Sequence, residues 1–196
     1  MDTVIYIHGM GGNAGEADRY ESLFPGCRVI GFDYKSQTPW EAKEEFAAFF
    51  EQNAKGDTVL VANSLGAYFS MQSGLDRYIN RAYFISPVVD MESIILSMMR
   101  RTGVGEDELE RAGVIGELSW EYLSYVRAHP AEWSAPTVII YGERDALTPY
   151  ETMRDFALRT GARLSVMEGG EHWFHTKEQT DFIDKTIKDA ERNDNV

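Results

Sequence analysis

Six short apolar runs recur along the chain, at residues 3–7, 28–32, 58–62, 82–85, 137–141 and 163–167. Each is rich in β-branched residues and shows little apolar–polar alternation, which predicts a strand buried on both faces, as in a parallel sheet. Helical patterns with start signals lie between them. Thr38-Pro39-Trp40-Glu41 combines a capping threonine, a proline at the first helical position and a glutamate at the third. Thr148-Pro149-Tyr150-Glu151 repeats the signature, and Thr176-Lys177-Glu178-Gln179 is a weaker form that opens a C-terminal helix running toward Ala190. From Arg192 to the C-terminus the chain is expected to fray. Alternating strands and helices predict an α/β domain with a doubly wound, mainly parallel sheet of about six strands.

One interval breaks the alternation. Between Pro87 and Pro136 no good strand is visible. Met91, Ile94, Ile95, Met98 and Met99 fall on one helical face, an acidic glycine-punctuated stretch covers 103–116, and a second amphipathic helix is expected from about Leu118 to Arg127. Residues 88–134 thus read as a small helical cap inserted into a single domain spanning 1–196. Ordinary helices packed on the flank of the sheet are the alternative.

Composition narrows the picture. With 196 residues the chain suits one domain. Its net charge of −13 disfavours a nucleic-acid partner. Cys27 has no second cysteine to pair with and reads as a core thiol. No apolar run is long enough to span a bilayer and no leader-like segment precedes Thr3, so a soluble cytoplasmic protein is expected.

The candidate chemistry gathers at strand ends. In Val59-Leu60-Val61-Ala62-Asn63-Ser64-Leu65-Gly66-Ala67 a strand runs into a small-x-Ser-x-Gly turn and then a helix. A serine projecting from so sharp a turn needs small neighbours two residues before and after it, which Ala62 and Gly66 supply. A helix N-cap is the structural alternative for Ser64. The first strand ends in His8-Gly9-Met10-Gly11-Gly12, a loop able to turn backbone amides toward one point. Neither nucleotide-binding glycine pattern is present, and His8 reads as a brace for the loop in preference to a metal ligand. Asp145 follows the strand that ends at Tyr141 and is the candidate acid, with Glu143 and Asp33 as rivals. His172 follows the last strand and is the candidate base, because its ordinary pKa lies near about 6.5. His175 is its local rival, and His129 reads as structural.

These four segments, in the order Ser, Asp, His, resemble the α/β-hydrolase superfamily over nearly the whole chain outside the insertion. Members of that superfamily usually open with an antiparallel hairpin; here the first expected strand is the one that carries the His8-Gly9 loop, so a minimal version with about six parallel strands is expected. The resemblance implies a serine esterase-like hydrolase without cofactor or metal, acting on a small-molecule ester or thioester. Ser64 would be the nucleophile, Asp145 the acid, His172 the base, and the amides of Met10 and Leu65 the oxyanion hole. Gly9, Gly11, Asn63, Met91, Ile95, Met99, Trp120 and Trp173 are candidate substrate-pocket residues, which would favour an apolar group. Cleavage of a C–C or amide bond, a non-enzymatic binding module and a partner-docking role are the alternatives.

Overall fold

The computed structural model describes residues 2–193. In chain order the elements are β1 (Thr3–Ile7), β2 (Arg28–Phe32), α1 (Pro39–Asn53), β3 (Thr58–Asn63), α2 (Leu65–Gln72) and β4 (Arg81–Ile85). Then come α3 (Met91–Thr102), α4 (Glu106–Ala112), β5 (Val114–Ile115), β6 (Leu118–Ser119) and α5 (Trp120–Ala128). β7 (Thr137–Gly142), α6 (Tyr150–Thr160), β8 (Arg163–Met167) and α7 (Lys177–Asn193) complete the chain. Short 3-10 helices cover Ala14–Tyr20 and Leu75–Tyr78. The chain divides into two compact units, of which Val89–Ala131 is the second.

The first unit is built on a six-stranded sheet in the order β2-β1-β3-β4-β7-β8, parallel at every pairing. Side chains alternate between its faces along each strand. Val4, Tyr6, Val59, Val61, Tyr83, Ile85, Val138 and Ile140 share one core with Ala17 and Tyr20 of the 3-10 helix and Ile183, Ile187 and Ala190 of α7. At the end of β2 and just past it, Phe32 and Tyr34 pack on the aromatic side chains of α1 and α2. The Phe32 and Phe46 rings are 4.9 Å apart, and those of Tyr34 and Phe69 are 5.7 Å apart. Fully burying one such ring contributes about 1.5–3 kcal/mol.

The order of the strands matters for function. The sheet starts at β1 and grows outward to β2 on one side and to β3, β4, β7 and β8 on the other. A crevice therefore opens between the carboxyl ends of β1 and β3, the topological switch point where open α/β sheets bind ligands.

Two start signals behave as expected. Thr38 and Glu41 form a reciprocal capping box on α1, and Thr176 and Gln179 exchange bonds in the same way at α7. The third does not. Thr148 is buried and makes no side-chain cap; Pro149 is the N-cap of α6. The Thr148 N–H is instead held by the Asp145 carboxylate, and its carbonyl accepts from the Tyr141 hydroxyl. The loop after β7 thus holds Thr148 by its backbone.

The second unit also departs from expectation. The interval read as lacking strands contains the antiparallel pair β5–β6. The acidic stretch carries α4, and the last helix starts at Trp120, capped by Ser119, because Leu118 belongs to β6. Two-residue strands and a seven-residue helix are too short to leave a periodic signature. Within this unit Arg127 of α5 binds Glu92 of α3 and, in a forked pair, Glu106 of α4. No helix among the described residues is long and apolar enough to cross a membrane. Of the C-terminal stretch expected to fray, Arg192 belongs to α7 and residues 194–196 lie outside the described residues.

Gly31 marks a close approach that the fold requires. A Cβ there would sit 1.9 Å from the Ala14 carbonyl oxygen, where the 3-10 helix enters the sheet. Gly31→Ala is expected to cost at least about 2 kcal/mol, because backbone has to move. Thermal unfolding should show this as a midpoint lower by about 4–8 °C; an unchanged midpoint would show that the approach is not required.

Candidate active site

β3 ends at Asn63, and the next residue leaves the ordinary backbone. Ser64 has φ 48° and ψ −112°, a left-handed conformation that costs a non-glycine residue about 1–3 kcal/mol. It is pinned by its neighbours. Its N–H donates to the Ile85 carbonyl at 2.9 Å, and its carbonyl accepts from the Val88 and Tyr68 amides. Gly66 lies so near β1 that a Cβ would fall 2.4 Å from the His8 carbonyl oxygen. Ala62 is fully buried beside Ile7. Gly66 is thus sterically required, and Ala62 sits in a fully buried position. Ser64 occupies the N-cap position of α2 but makes no cap bond, which removes the capping alternative.

Its hydroxyl is committed elsewhere. Ser64 Oγ lies 2.8 Å from His172 Nε2, and His172 Nδ1 lies 2.7 Å from Asp145 Oδ2. The other carboxylate oxygen, Oδ1, accepts from the backbone amides of Leu147 and Thr148 at 2.8 and 3.1 Å. The Asp145 carboxylate is wholly shielded from solvent and the imidazole is mostly so. A carboxylate can only accept, so His172 carries its proton on Nδ1. Its Nε2 lone pair is then free to accept from the Ser64 hydroxyl.

The loops after β7 and β8 are joined to each other. The Glu143 N–H donates to the Met167 carbonyl at 3.0 Å, the Arg144 N–H to the Gly170 carbonyl at 2.7 Å, and the Gly169 N–H to the Glu143 carboxylate at 2.8 Å. Gly142 allows this, since a Cβ would meet the Glu171 carbonyl oxygen at 2.5 Å. Glu143, a rival for the acid, is therefore a brace between two loops. That role was hidden in the sequence because its partner is 26 residues away. Asp33, the other rival, binds Lys35 and approaches His8 Nε2 to 3.8 Å; the Lys35 ammonium holds its carboxyl below the usual range. Burial pushes the Tyr141 phenol up to about 12, so it stays a neutral donor to Thr148.

Gly9 is buried against the serine, where a Cβ would lie 3.2 Å from Ser64 Cβ. Leu65 opens α2, so its N–H lacks a partner within the helix. Met10 and Gly11 are exposed at the loop tip, Asn63 ends β3, and Trp173 is largely exposed beside His172. Met91, Ile95 and Met99 lie on α3 and Trp120 on α5, all in the second unit. His175 stacks on Trp173 and bonds its carbonyl, and His129 bonds the Tyr125 carbonyl. No cluster of three metal-ligating side chains occurs among the described residues. Ser86 is a second non-glycine residue with positive φ (42°), buried at the end of β4.

The architecture has known relatives in shape. Mouse alpha/beta hydrolase domain-containing protein 10 superposes with a TM-score of 0.75 at 18% identity, over 97% of this chain and 90% of that one. Est1E from Butyrivibrio proteoclasticus gives 0.72 at 18%, over 98% and 87%. A Paleococcus ferrophilus monoacylglycerol lipase gives 0.66 at 15%, over 95% and 92%. The chain therefore has the α/β-hydrolase fold. In sequence, 50 residues are 44% identical to a Mycoplasma genitalium protein that carries an esterase/lipase name. That stretch is 26% of this chain and 18% of the relative, so the chain's match spans less than a fifth of that protein. No family model matches.

The joined loops carry a prediction. The His172 Nδ1–H should give a downfield proton resonance that Asp145→Asn moves upfield. Gly142→Ala, which displaces the loop bearing His172, should move it the same way. A resonance unaffected by Gly142→Ala would mean that the loop contact does not set the His172–Asp145 distance.

Proposed function

We propose that this protein is a serine hydrolase that cleaves carboxylic esters or thioesters of small, apolar substrates through an acyl-enzyme. The observation that carries the reading is the unbroken chain from the strained Ser64 through His172 to the buried Asp145 carboxylate. The names of an esterase/lipase sequence relative and of a monoacylglycerol lipase among the structural relatives support ester cleavage.

In this mechanism His172 Nε2 takes the Ser64 proton as Oγ attacks the substrate carbonyl. Asp145 holds the imidazole in the accepting tautomer and stabilises the imidazolium that forms. The Met10 and Leu65 amides bind the oxyanion, the latter aided by the N-terminal end of the α2 dipole. His172 then returns the proton to the leaving alcohol or thiol. Water activated by the same nitrogen releases the acid and regenerates Ser64. An apolar substrate is favoured because the residues beside this machinery are apolar and exposed: Met10 (84%), Leu147 (47%) and Trp173 (70%). A bound acyl chain would remove their surface from water.

Two assays test the reading. A fluorophosphonate probe should label the wild-type protein and not Ser64→Ala; equal labelling would sink the assignment of the nucleophile. On p-nitrophenyl esters, Ser64→Ala should lose at least about a thousandfold in kcat, and Asp145→Asn about a thousand- to ten-thousandfold. For the wild type, kcat/KM should rise from acetate to hexanoate by about two- to fourfold per methylene. A flat or falling series would remove the apolar preference.

A further inference from the structure

The last strand of the sheet is open along its outer side. β8 ends the strand order and pairs with β7 alone. Every residue of β1, inside the sheet, is buried, whereas Arg163 and Val166 of β8 are exposed and Leu164, Ser165 and Met167 are half-buried. No other large apolar side chain of the six strands is as exposed as Val166, at 39%. The Met167 carbonyl accepts from the Glu143 N–H, so the backbone groups of Met167 face the β7 side. Direction alternates along a strand, so those of Ser165 and Arg163 face β7 too. The N–H and C=O of Leu164 and Val166 therefore point out of the sheet, and nothing among the described residues bonds to them. A proline, a bulge or a central charge normally blunts such an edge. The Leu-Ser-Val centre of β8 has no proline and no charge, and its register with β7 runs without a bulge.

The edge is also complementary to itself. Arg163 opens the strand and Glu168 follows its last residue; both are exposed, and neither forms an ion pair among the described residues. A second β8 turned by a two-fold axis lays its acidic end beside Arg163 and its own arginine beside Glu168. We infer that β8 is a homodimer interface, along which two copies of this chain pair antiparallel and join their six-stranded sheets into one continuous sheet. The backbone sets the register. Outward groups must meet outward groups, and the Ala162 N–H is already bound to the Ala157 carbonyl. Leu164 of one copy therefore lies opposite Val166 of the other, each such pair exchanging both hydrogen bonds, and the axis passes at Ser165. Each copy's exposed valine is covered at the seam. Two chains of net charge −13 repel each other over most of their surface, so an edge with opposite charges at its two ends is where they meet. Each copy offers this edge once, so the pairing closes at two. The inference is independent of the hydrolase reading, since no residue of the Ser64–His172–Asp145 chain takes part.

Sedimentation equilibrium of the full chain tests this. The wild type should show a reversible monomer–dimer equilibrium. Val166→Pro is the selective variant: the Val166 N–H has no partner within one chain, so proline leaves the β7–β8 ladder intact and removes a donor from the seam on both copies. It should raise the dimer Kd at least about tenfold, with the thermal midpoint of the dilute protein little changed. Arg163→Glu should weaken the dimer about tenfold, and adding Glu168→Arg should bring the Kd back to within about threefold of wild type. Geometry is read separately by Ser165→Cys in a Cys27→Ala background. Opposed residues of a non-hydrogen-bonded pair have Cα atoms about 4.5 Å apart, within disulfide reach, so mild oxidation should link the two copies. A chain that stays monomeric at about 100 μM would overturn the inference and leave the edge to a strand of a different protein. A dimer whose Kd is unchanged in Val166→Pro, or one in which Ser165→Cys stays reduced, would place the interface elsewhere and overturn it as well.

Discussion

Ser64 is held where a serine would not rest by itself. Its left-handed backbone costs about 1–3 kcal/mol, and that conformation persists because the surroundings leave no alternative. The residue joins the third strand of a buried parallel sheet to a helix without a spare residue between them. Its amide is tied to Ile85, its carbonyl to Val88 and Tyr68, and the turn presses through Gly66 onto the His8 carbonyl. Relaxing φ would break several of these contacts together. The same geometry lifts the hydroxyl clear of the sheet and leaves the first amide of α2 beside it.

The rest of the site depends on this position because each other component arrives on its own strand end. The β7 loop supplies a carboxylate with no solvent exposure, fixed by two backbone amides and one imidazole. The β8 loop supplies that imidazole and is joined to the β7 loop through Glu143, Arg144 and the bare Cα of Gly142. The β1 loop, tied down at the Gly9 carbonyl, faces the serine across the switch point of the sheet. Parallel strands end on one rim, so four segments distant in sequence meet there without any long loop.

Much of the sheet was legible in the sequence, because strands buried on both faces leave continuous apolar runs. All six runs form strands, and only the ends of β3, β4 and β7 extend by a residue. The Thr38–Glu41 box was legible because a capping box is written within four residues. Thr148 carried a similar signature and makes no cap; Asp145 holds its N–H and Tyr141 its carbonyl. β5, β6 and α4 were missed for want of length. At the site, Ser64, Asp145 and His172 could be listed from strand ends, and the structure brings these three into one hydrogen-bonded chain. The function of Glu143 depends on a partner 26 residues away, which no local pattern encodes.

The claim that matters most is that Ser64 itself bears the substrate's acyl group during turnover. Rapid acid quench of the wild-type protein with a p-nitrophenyl ester, followed by intact and peptide mass spectrometry, reads this directly. A transient mass increase equal to one acyl group is expected on the peptide containing Ser64, accumulating further with slowly deacylating esters. Steady turnover with no acyl adduct on that peptide, or with the adduct on another residue, would contradict it.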